Sequence, residues 1–373
     1  MKSYDIVIIG AGISGATLAW LYAEKKNKKV LVIEKRPHIA GNCYDYVNAD
    51  GLLVSKYGAH LFHTTDAEVW KFVNQFADWR KHEHKVVAKV GDQYVPIPVN
   101  ITTVNTLFNL QIQNESEMDE WLRKNQVENA HPQNGEEAAL ARVGSVLYEK
   151  LFKDYTYKQW GKYPYELDAA VLQRIPVRNT FDDRYFTDRY QGIPMNGYTK
   201  LFEKMLTHKN IEVQLNTDFF DIQKKLKNAE KIFYTGPIDR YFDFKHKLIG
   251  NLEWRSINFE WQTLDQEYYQ QAAVVNYPQK SDGKFTRIVE YKRIYKQHSP
   301  KTAICREYST ADGEQYYPVP NPKNHAVFEL YRQEAAKIKN VYFVGRLANY
   351  KYFNMDEAFK NALNLFQELQ ESS

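Results

Sequence analysis

Tyr4-Asp5-Ile6-Val7-Ile8-Ile9-Gly10-Ala11-Gly12-Ile13-Ser14-Gly15 is the stretch whose reading decides the fold. Tyr4 to Ile9 is a short β-branched run with the pattern of a buried strand. The three glycines that follow are spaced G-x-G-x-x-G, where a strand must turn sharply into a helix. Ala16 to Lys26 has helical composition and Val30 to Glu34 reads as a second buried strand, so a βαβ unit is expected at this end of the chain. Gly10 allows the tight turn, and Gly12 lets the backbone approach a pyrophosphate at the helix N-terminus, where amide groups and the dipole favour anions. Glu34 lies nineteen residues after the last glycine, placed to accept from ribose hydroxyls. Strand, helix and acid together point to a dinucleotide site; the alternative is a tight turn that holds no ligand. An acid at position 34 disfavours a 2′-phosphate, which leaves FAD or NAD. The uncharged run Ile6 to Ala23 has roughly the length that spans a bilayer, but its glycines argue against a signal or membrane segment.

Working outward, 373 residues suggest two or three domains. Fifty Lys plus Arg against 46 Asp plus Glu leave a formal charge of +4, too small and dispersed for a nucleic-acid or acidic-membrane partner. Cys43 and Cys305 are the only cysteines, too few for a disulfide scaffold or a Cys-based zinc site, and a reducing cytoplasm is the expected compartment. The unusual count is 28 Tyr, which suggests amphipathic stacking surfaces as well as core. Apolar spacing of three to four predicts helices over 66–80 and 103–150, while short aromatic and β-branched runs predict antiparallel strands over 86–98 and 255–308. Val341 to Val344, Gly345 and a helical run from Asp356 to Leu369 repeat the strand-glycine-helix theme, so the dinucleotide domain is expected to be discontinuous.

Three further constellations carry chemistry. Glu34-Lys35-Arg36 leading to Gly41-Asn42 resembles the second FAD signature of amine-oxidase-like flavoproteins, and Phe343 to Arg346 matches their late strand-Gly-Arg, which favours FAD. Arg346 could alternatively be half of a surface ion pair. His60 and His63 follow Gly58 at i, i+3 spacing; they are too few to hold a metal, and read either as a ligand-facing loop or as hydrogen-bonded core residues. Phe152 to Tyr163, followed by Arg174, mixes stacking faces with cations. A base could stack on Tyr155 or Phe152 and Arg174 could fork onto phosphate oxygens, or the stretch could be aromatic core with solvated lysines.

The stretches KYGAHLFHT (56–64), YTYKQWG (155–161), RIPVR (174–178), DRYQGIPMNGYTKL (188–201), IFYTGPIDRYFD (232–243), FTRIVEYK (285–292), YYPV (316–319) and GRLANYKYF (345–353) together resemble UDP-galactopyranose mutases of the prokaryotic type, through nearly the whole chain. The resemblance implies an α/β fold: a discontinuous Rossmann-like FAD-binding domain (1–80, 191–245, 325–373), an inserted helical domain with a mobile substrate loop (100–165) and an antiparallel sheet domain (81–99, 166–190, 246–324). It also implies a cytoplasmic homodimer. The activity implied is the interconversion of UDP-galactopyranose and UDP-galactofuranose, a redox-neutral isomerisation by nucleophilic attack of reduced flavin on the anomeric carbon. It would supply galactofuranose for glycans, with NAD(P)H or a flavin reductase as reductant.

Carried over by position, Arg174 and Arg287 match the arginines that bind the substrate diphosphate, the first on the loop that closes. Phe152 and Tyr155 match the uracil-stacking region, Trp160 the loop tryptophan, and Tyr185, Asn276, Tyr317 and Tyr352 the surroundings of diphosphate and sugar. Gly10, Gly12, Ser14, Gly15, Glu34, Lys35, Asn42, His60, Leu61, Phe219, Arg346 and Met355 match FAD contacts, with His63 close to the flavin ring. No metal is implied. Three departures lie near the site. His84 stands where many bacterial members have Asn, adding a possible proton donor at a substrate position. Asn354 stands where they have Asp. Ala40 replaces the first of two glycines, a mild change in a turn. An amine-oxidase-like oxidoreductase would share the cofactor residues but has no use for the Arg174 and Arg287 pair, and a non-catalytic UDP-sugar or FAD sensor would keep the binding residues without turnover.

Overall fold

A computed structural model describes residues 3–173, 176–226, 229–242 and 249–371. Five short strands, Ile6–Ile9, Val30–Ile33, Ile211–Gln214, Lys231–Tyr234 and Val341–Phe343, pair in parallel. Their spatial order is third, second, first, fourth, fifth. That order reverses beside the first strand, and in open sheets of this kind ligands bind beyond the strand C-termini at such a reversal. The three central strands are buried on both faces, as parallel strands with covering elements must be, while the edge strand Ile211–Gln214 is partly exposed. Ile6, Ile8, Val30 and Val32 pack with Phe72, Phe202 and Phe359 on one side, and Val7, Leu31 and Ile33 with Phe219 and Tyr234 on the other.

The helix Ile13–Trp20 starts where the glycines end and lies almost wholly inside the protein. It packs between Tyr198–Leu206 and the long C-terminal helix Met355–Glu371. Its closeness to the first strand requires Gly15: a Cβ there would overlap the Gly10 carbonyl oxygen and come within 3.2 Å of the Ile8 Cγ2. Gly15→Ala is therefore expected to cost about 3 kcal/mol or more, read as a lowered denaturant midpoint.

The second sheet has seven strands, in the order Tyr317–Pro318, Trp254–Leu264, Thr302–Thr310, Arg287–Glu290, Val274–Asn276, Val86–Val90, Gln93–Ile97. Its core is shared with the helices Ile101–Phe108, Gly135–Leu147 and Asp154–Trp160. Among the described residues no helix is long and apolar enough to cross a membrane.

Three local expectations are corrected. The second sheet is not wholly antiparallel, because Val274–Asn276 runs parallel to Val86–Ala88. The stretch 66–80 is helical only over Ala67–Val73; Trp79–Lys81 is a strand, held by pairing with Tyr190–Pro194 and by Trp79 packing on Phe62. Within 255–308, Tyr291–Tyr295 is a short helix rather than strand. Its last carbonyls, on Ile294 and Tyr295, accept from the Arg80 guanidinium at 2.8 Å, a cap supplied from far along the chain.

Candidate functional site

The Gly10–Gly12 turn and Thr235–Pro237 follow the first and fourth parallel strands, and together they floor a cleft of about 250 Å³ at the reversal point. Gly12 caps the helix Ile13–Trp20 without any side-chain bond, so the orphan amides of its first turn are left to an anion. The turn presses against Gly41, where a Cβ would come within 2.8 Å of the Gly12 Cα. Glu34 is buried, one carboxylate oxygen accepting from Ala11 N and the other from Arg36 N, each at 2.9 Å. It shapes the glycine turn, and its unused lone pairs suit a diol.

Of the residues expected to hold the cofactor, Gly10, Gly12, Ser14, Glu34, Lys35, Asn42, His60, Phe219, Arg346 and Met355 line this cleft. Gly15 does not; it serves the packing described above. Leu61 is turned toward the core of the second sheet. His63 is engaged with Asp188 at 3.1 Å and stacked on Phe186 at 3.6 Å between ring centres. His60 instead bonds the Gly58 carbonyl through Nδ1, so the two histidines hold separate partners. Burial pushes the His60 pKa down to about 4, with the Arg346 and Arg287 charges adding to the effect against the Gly58 bond, so its imidazole is neutral.

Ala40 is the turn residue of most consequence. It is fully buried with φ of 72°, a left-handed conformation that costs a non-glycine residue about 1 kcal/mol or more. Alanine in place of glycine here is a strained substitution, not a mild one. Asn354 lines the cleft at the start of the C-terminal helix, its backbone N–H donating to the Glu357 carboxylate at 2.7 Å.

A smaller cavity of about 50 Å³ opens beside the second sheet, lined by Tyr155, Trp160, Arg287, Tyr317 and Tyr352 among the expected substrate residues. Arg287 and Glu307 face each other in register on neighbouring strands, and Arg287 Nε donates to the Glu307 carboxylate at 2.6 Å. Burial alone would depress the arginine's pKa, but the Glu307 charge and hydrogen bond, with Tyr155 and Tyr317 beside it, together outweigh burial and hold Arg287 fully cationic. Burial also raises the Tyr155 hydroxyl and, with Tyr352 beside it, takes Tyr317 up to about 12, so both phenols stay protonated donors. The Tyr155 hydroxyl reaches Asn276 Oδ1 at 3.4 Å.

Other expected substrate residues fall elsewhere. Phe152 is buried in the core rather than lining the cavity. Tyr185 and His84 sit together, Tyr185 N donating to the His84 carbonyl at 2.7 Å. The His84 ring is almost fully buried, and desolvation, then His82, Arg287 and His63, holds its pKa well below the usual value. It is a neutral imidazole, which keeps one ring N–H to donate. Arg174 lies outside the described residues.

Arg255, Glu307 and Ser309 also line the smaller cavity and were not foreseen. Glu307 and Ser309 alternate along one strand, and the register opposite Arg287 would have singled out Glu307, but register is not readable before the strands are paired. Glu314 and Gln315 reach the larger cleft from the loop between two strands of the second sheet, with no local signal.

The two cavities share a wall. Arg346 lines the larger one and donates through Nε to the Phe353 carbonyl at 3.0 Å. Its guanidinium lies 4.9 Å from the Tyr352 ring and 5.4 Å from Tyr317, rings that line the smaller cavity and stack at 5.6 Å.

Comparison with known proteins bears on this paired site. A family model described as UDP-galactopyranose mutase matches residues 150–352, and one described as an NAD(P)-binding Rossmann-like domain matches 8–76. A Klebsiella pneumoniae protein described as "Probable UDP-galactopyranose mutase" is 37% identical, covering 100% of this chain and 96% of its own length. An Escherichia coli dTDP-fucopyranose mutase is 36% identical, with 97% of each covered. The fold is that of a crystal structure of reduced UDP-galactopyranose mutase, with a TM-score of 0.80 over 100% of this chain and 95% of that one at 15% identity.

Proposed function

This chain belongs to the UDP-galactopyranose mutase family, and on that premise we propose that it interconverts UDP-galactopyranose and UDP-galactofuranose on FAD held in the larger cleft. The observation that carries the reading is the shared wall: a dinucleotide cleft and a cavity of cations and flat phenols meet at Arg346, Tyr317 and Tyr352. The cleft fits a flavin dinucleotide on its own chemistry. Uncapped helix amides suit the pyrophosphate, Glu34 suits ribose hydroxyls and repels a 2′-phosphate, and the cleft continues past Arg346 to Met355. Bound and reduced, FAD supplies the nucleophile for the anomeric carbon.

The protein's part is to bind, orient and retain. In this reading Tyr155 and Trp160 hold the base and Arg287 neutralises the diphosphate. Recapture requires the departing UDP anion to stay where it left, so Arg287 serves the reaction as well as affinity. Arg174 is assigned the same task by the family's motif. Neutral His60 lets the cleft accept a cofactor without adding charge, and no side chain is required as general acid or base. We read the chain as three units along the boundaries given above, with NAD(P)H or a flavin reductase as electron source and a homodimer as the working form. Free, buried Cys43 and Cys305 suit the reducing cytoplasm this reading assumes.

The E. coli relative makes the nucleotide sugar the point to test. Reduced protein given UDP-galactopyranose and dTDP-fucopyranose in parallel should form furanose from the UDP sugar, followed by chromatography; turnover of dTDP-fucopyranose alone would overturn the substrate assignment.

The adenosine end of the cleft is closed by charge. Arg36 pairs with Glu314, donates to Asn42 Oδ1 at 3.0 Å and lies 4.2 Å over the Tyr57 ring. Lys35 approaches the same glutamate at 3.7 Å. This clasp joins the loop of one sheet to the rim of the other. Glu314→Gln is expected to speed FAD release about fivefold, as the loss of about 1 kcal/mol from a half-exposed pair implies; an unchanged release rate would contradict the clasp.

A further inference from the structure

Lys158 belongs to the helix Asp154–Trp160 that carries Tyr155 and Trp160, but it does not line the smaller cavity. Its ammonium instead donates to three backbone carbonyls: Tyr277 at 2.8 Å, Gln279 at 2.6 Å and Phe285 at 3.3 Å. That uses all three of a lysine's donors, with no carboxylate among the partners. The neighbouring acids have other partners, Asp282 pairing with Lys89 at 3.3 Å and Asp154 with Lys280 at 3.4 Å.

The three carbonyls lie in one loop. Tyr277 directly follows Asn276, and Phe285 precedes Thr286 and Arg287, so the loop joins the two strands that present Asn276 and Arg287. Lys158 therefore ties the helix of the base-stacking residues to the strand pair of the diphosphate-binding residue, and the more exposed Lys280–Asp154 pair is a second, weaker link between the same helix and loop. Across the same gap the Tyr155 to Asn276 bond is longer, at 3.4 Å. The helix has a separate anchor, because the Gln159 carbonyl accepts from Ser309 and from Arg255 Nε at 3.1 Å on two other strands. Losing Lys158 would leave the helix attached, with its distance from Asn276 and Arg287 set by the weaker Lys280 contacts to Asp154 and the Tyr157 ring and by the long Tyr155 bond.

We propose that Lys158 is a positioning residue for the nucleotide: its ammonium, shared among the Tyr277, Gln279 and Phe285 carbonyls, fixes the spacing between the base-holding helix and the strands that hold the diphosphate. The inference rests on the proposed function, since it takes the smaller cavity as the nucleotide-sugar site. A ligand that must touch both walls at once is sensitive to that spacing, and a misplacement of about 1 Å can cost roughly a hundredfold.

The test uses the flavin-loaded protein with UDP as probe, by calorimetry, and UDP-galactofuranose turnover after reduction. Lys158→Met should raise the UDP Kd and the KM roughly ten- to a hundredfold, with flavin content unchanged and kcat little affected, the pattern of lost uniform binding. Lys158→Cys alkylated with 2-bromoethylamine rebuilds an ammonium at nearly the native length, and should recover UDP affinity; Cys43 and Cys305 are buried, and identically treated wild-type protein controls for them. Unchanged UDP affinity in Lys158→Met would overturn the proposal, as would weakened affinity that aminoethylation fails to restore. Wild-type protein that turns over its substrate but shows no UDP binding would count against the site reading itself and take this inference with it.

Discussion

Arg287→Lys is expected to give a folded, flavin-loaded protein whose turnover falls by about two to three orders of magnitude, the loss typical of removing a group that stabilises charge developed in the reaction. Lysine keeps the positive charge opposite Glu307 but lacks the planar fork that engages two phosphate oxygens. Alanine is the less informative substitution. Glu307 is 1% exposed, and one of its carboxylate oxygens has no partner among the described residues. Removing Arg287 would strand that buried charge at a cost of about 3 kcal/mol, the low end for a broken buried pair because the guanidinium is 31% exposed. Adding Glu307→Gln to Arg287→Ala should return much of the stability and none of the turnover. Near-normal turnover in Arg287→Lys, or recovery of activity in the double variant, would contradict the role given to this residue.

Glu34→Ala is expected to abolish stable flavin retention. Its two carboxylate oxygens accept the Ala11 and Arg36 amides, so the substitution removes two charged hydrogen bonds from the turn as well as the acceptor proposed for the ribose. At about 1.5 to 3 kcal/mol for each charged bond, FAD affinity should drop by two orders of magnitude or more. Glu34→Gln, which can accept at one atom only, should fall between the two. Flavin absorbance per chain after gel filtration measures the outcome, and full stoichiometry in Glu34→Ala would remove the carboxylate from the account.

How much was legible in sequence follows from how local each cause is. The glycine turn, its helix and Glu34 could be read directly because the constraints act within about thirty residues, the span of a βαβ unit. Tyr155 and Trp160 share one short helix, but the residues alone left aromatic core open there, and only the family resemblance pointed to these two positions. What could not be read depends on partners far along the chain. The helix Tyr291–Tyr295 ends on an arginine at position 80, Glu307 enters the site through strand register, and Glu314 reaches the cofactor cleft on a loop of the other sheet. Phe152 and Tyr155 looked equivalent as stacking faces, yet Phe152 is part of the core while Tyr155 faces the cavity. Ala40 shows a different limit: its residue type gave no sign that the backbone there is left-handed.

The central claim is that the protein rearranges a nucleotide sugar only when its flavin is reduced. Purified protein, reduced with dithionite, should convert UDP-galactofuranose to UDP-galactopyranose, the downhill direction, as followed by chromatography, while the oxidised protein leaves it unchanged. Conversion by the oxidised protein at the same rate, or no conversion by a reduced protein that holds flavin and binds UDP, would contradict it.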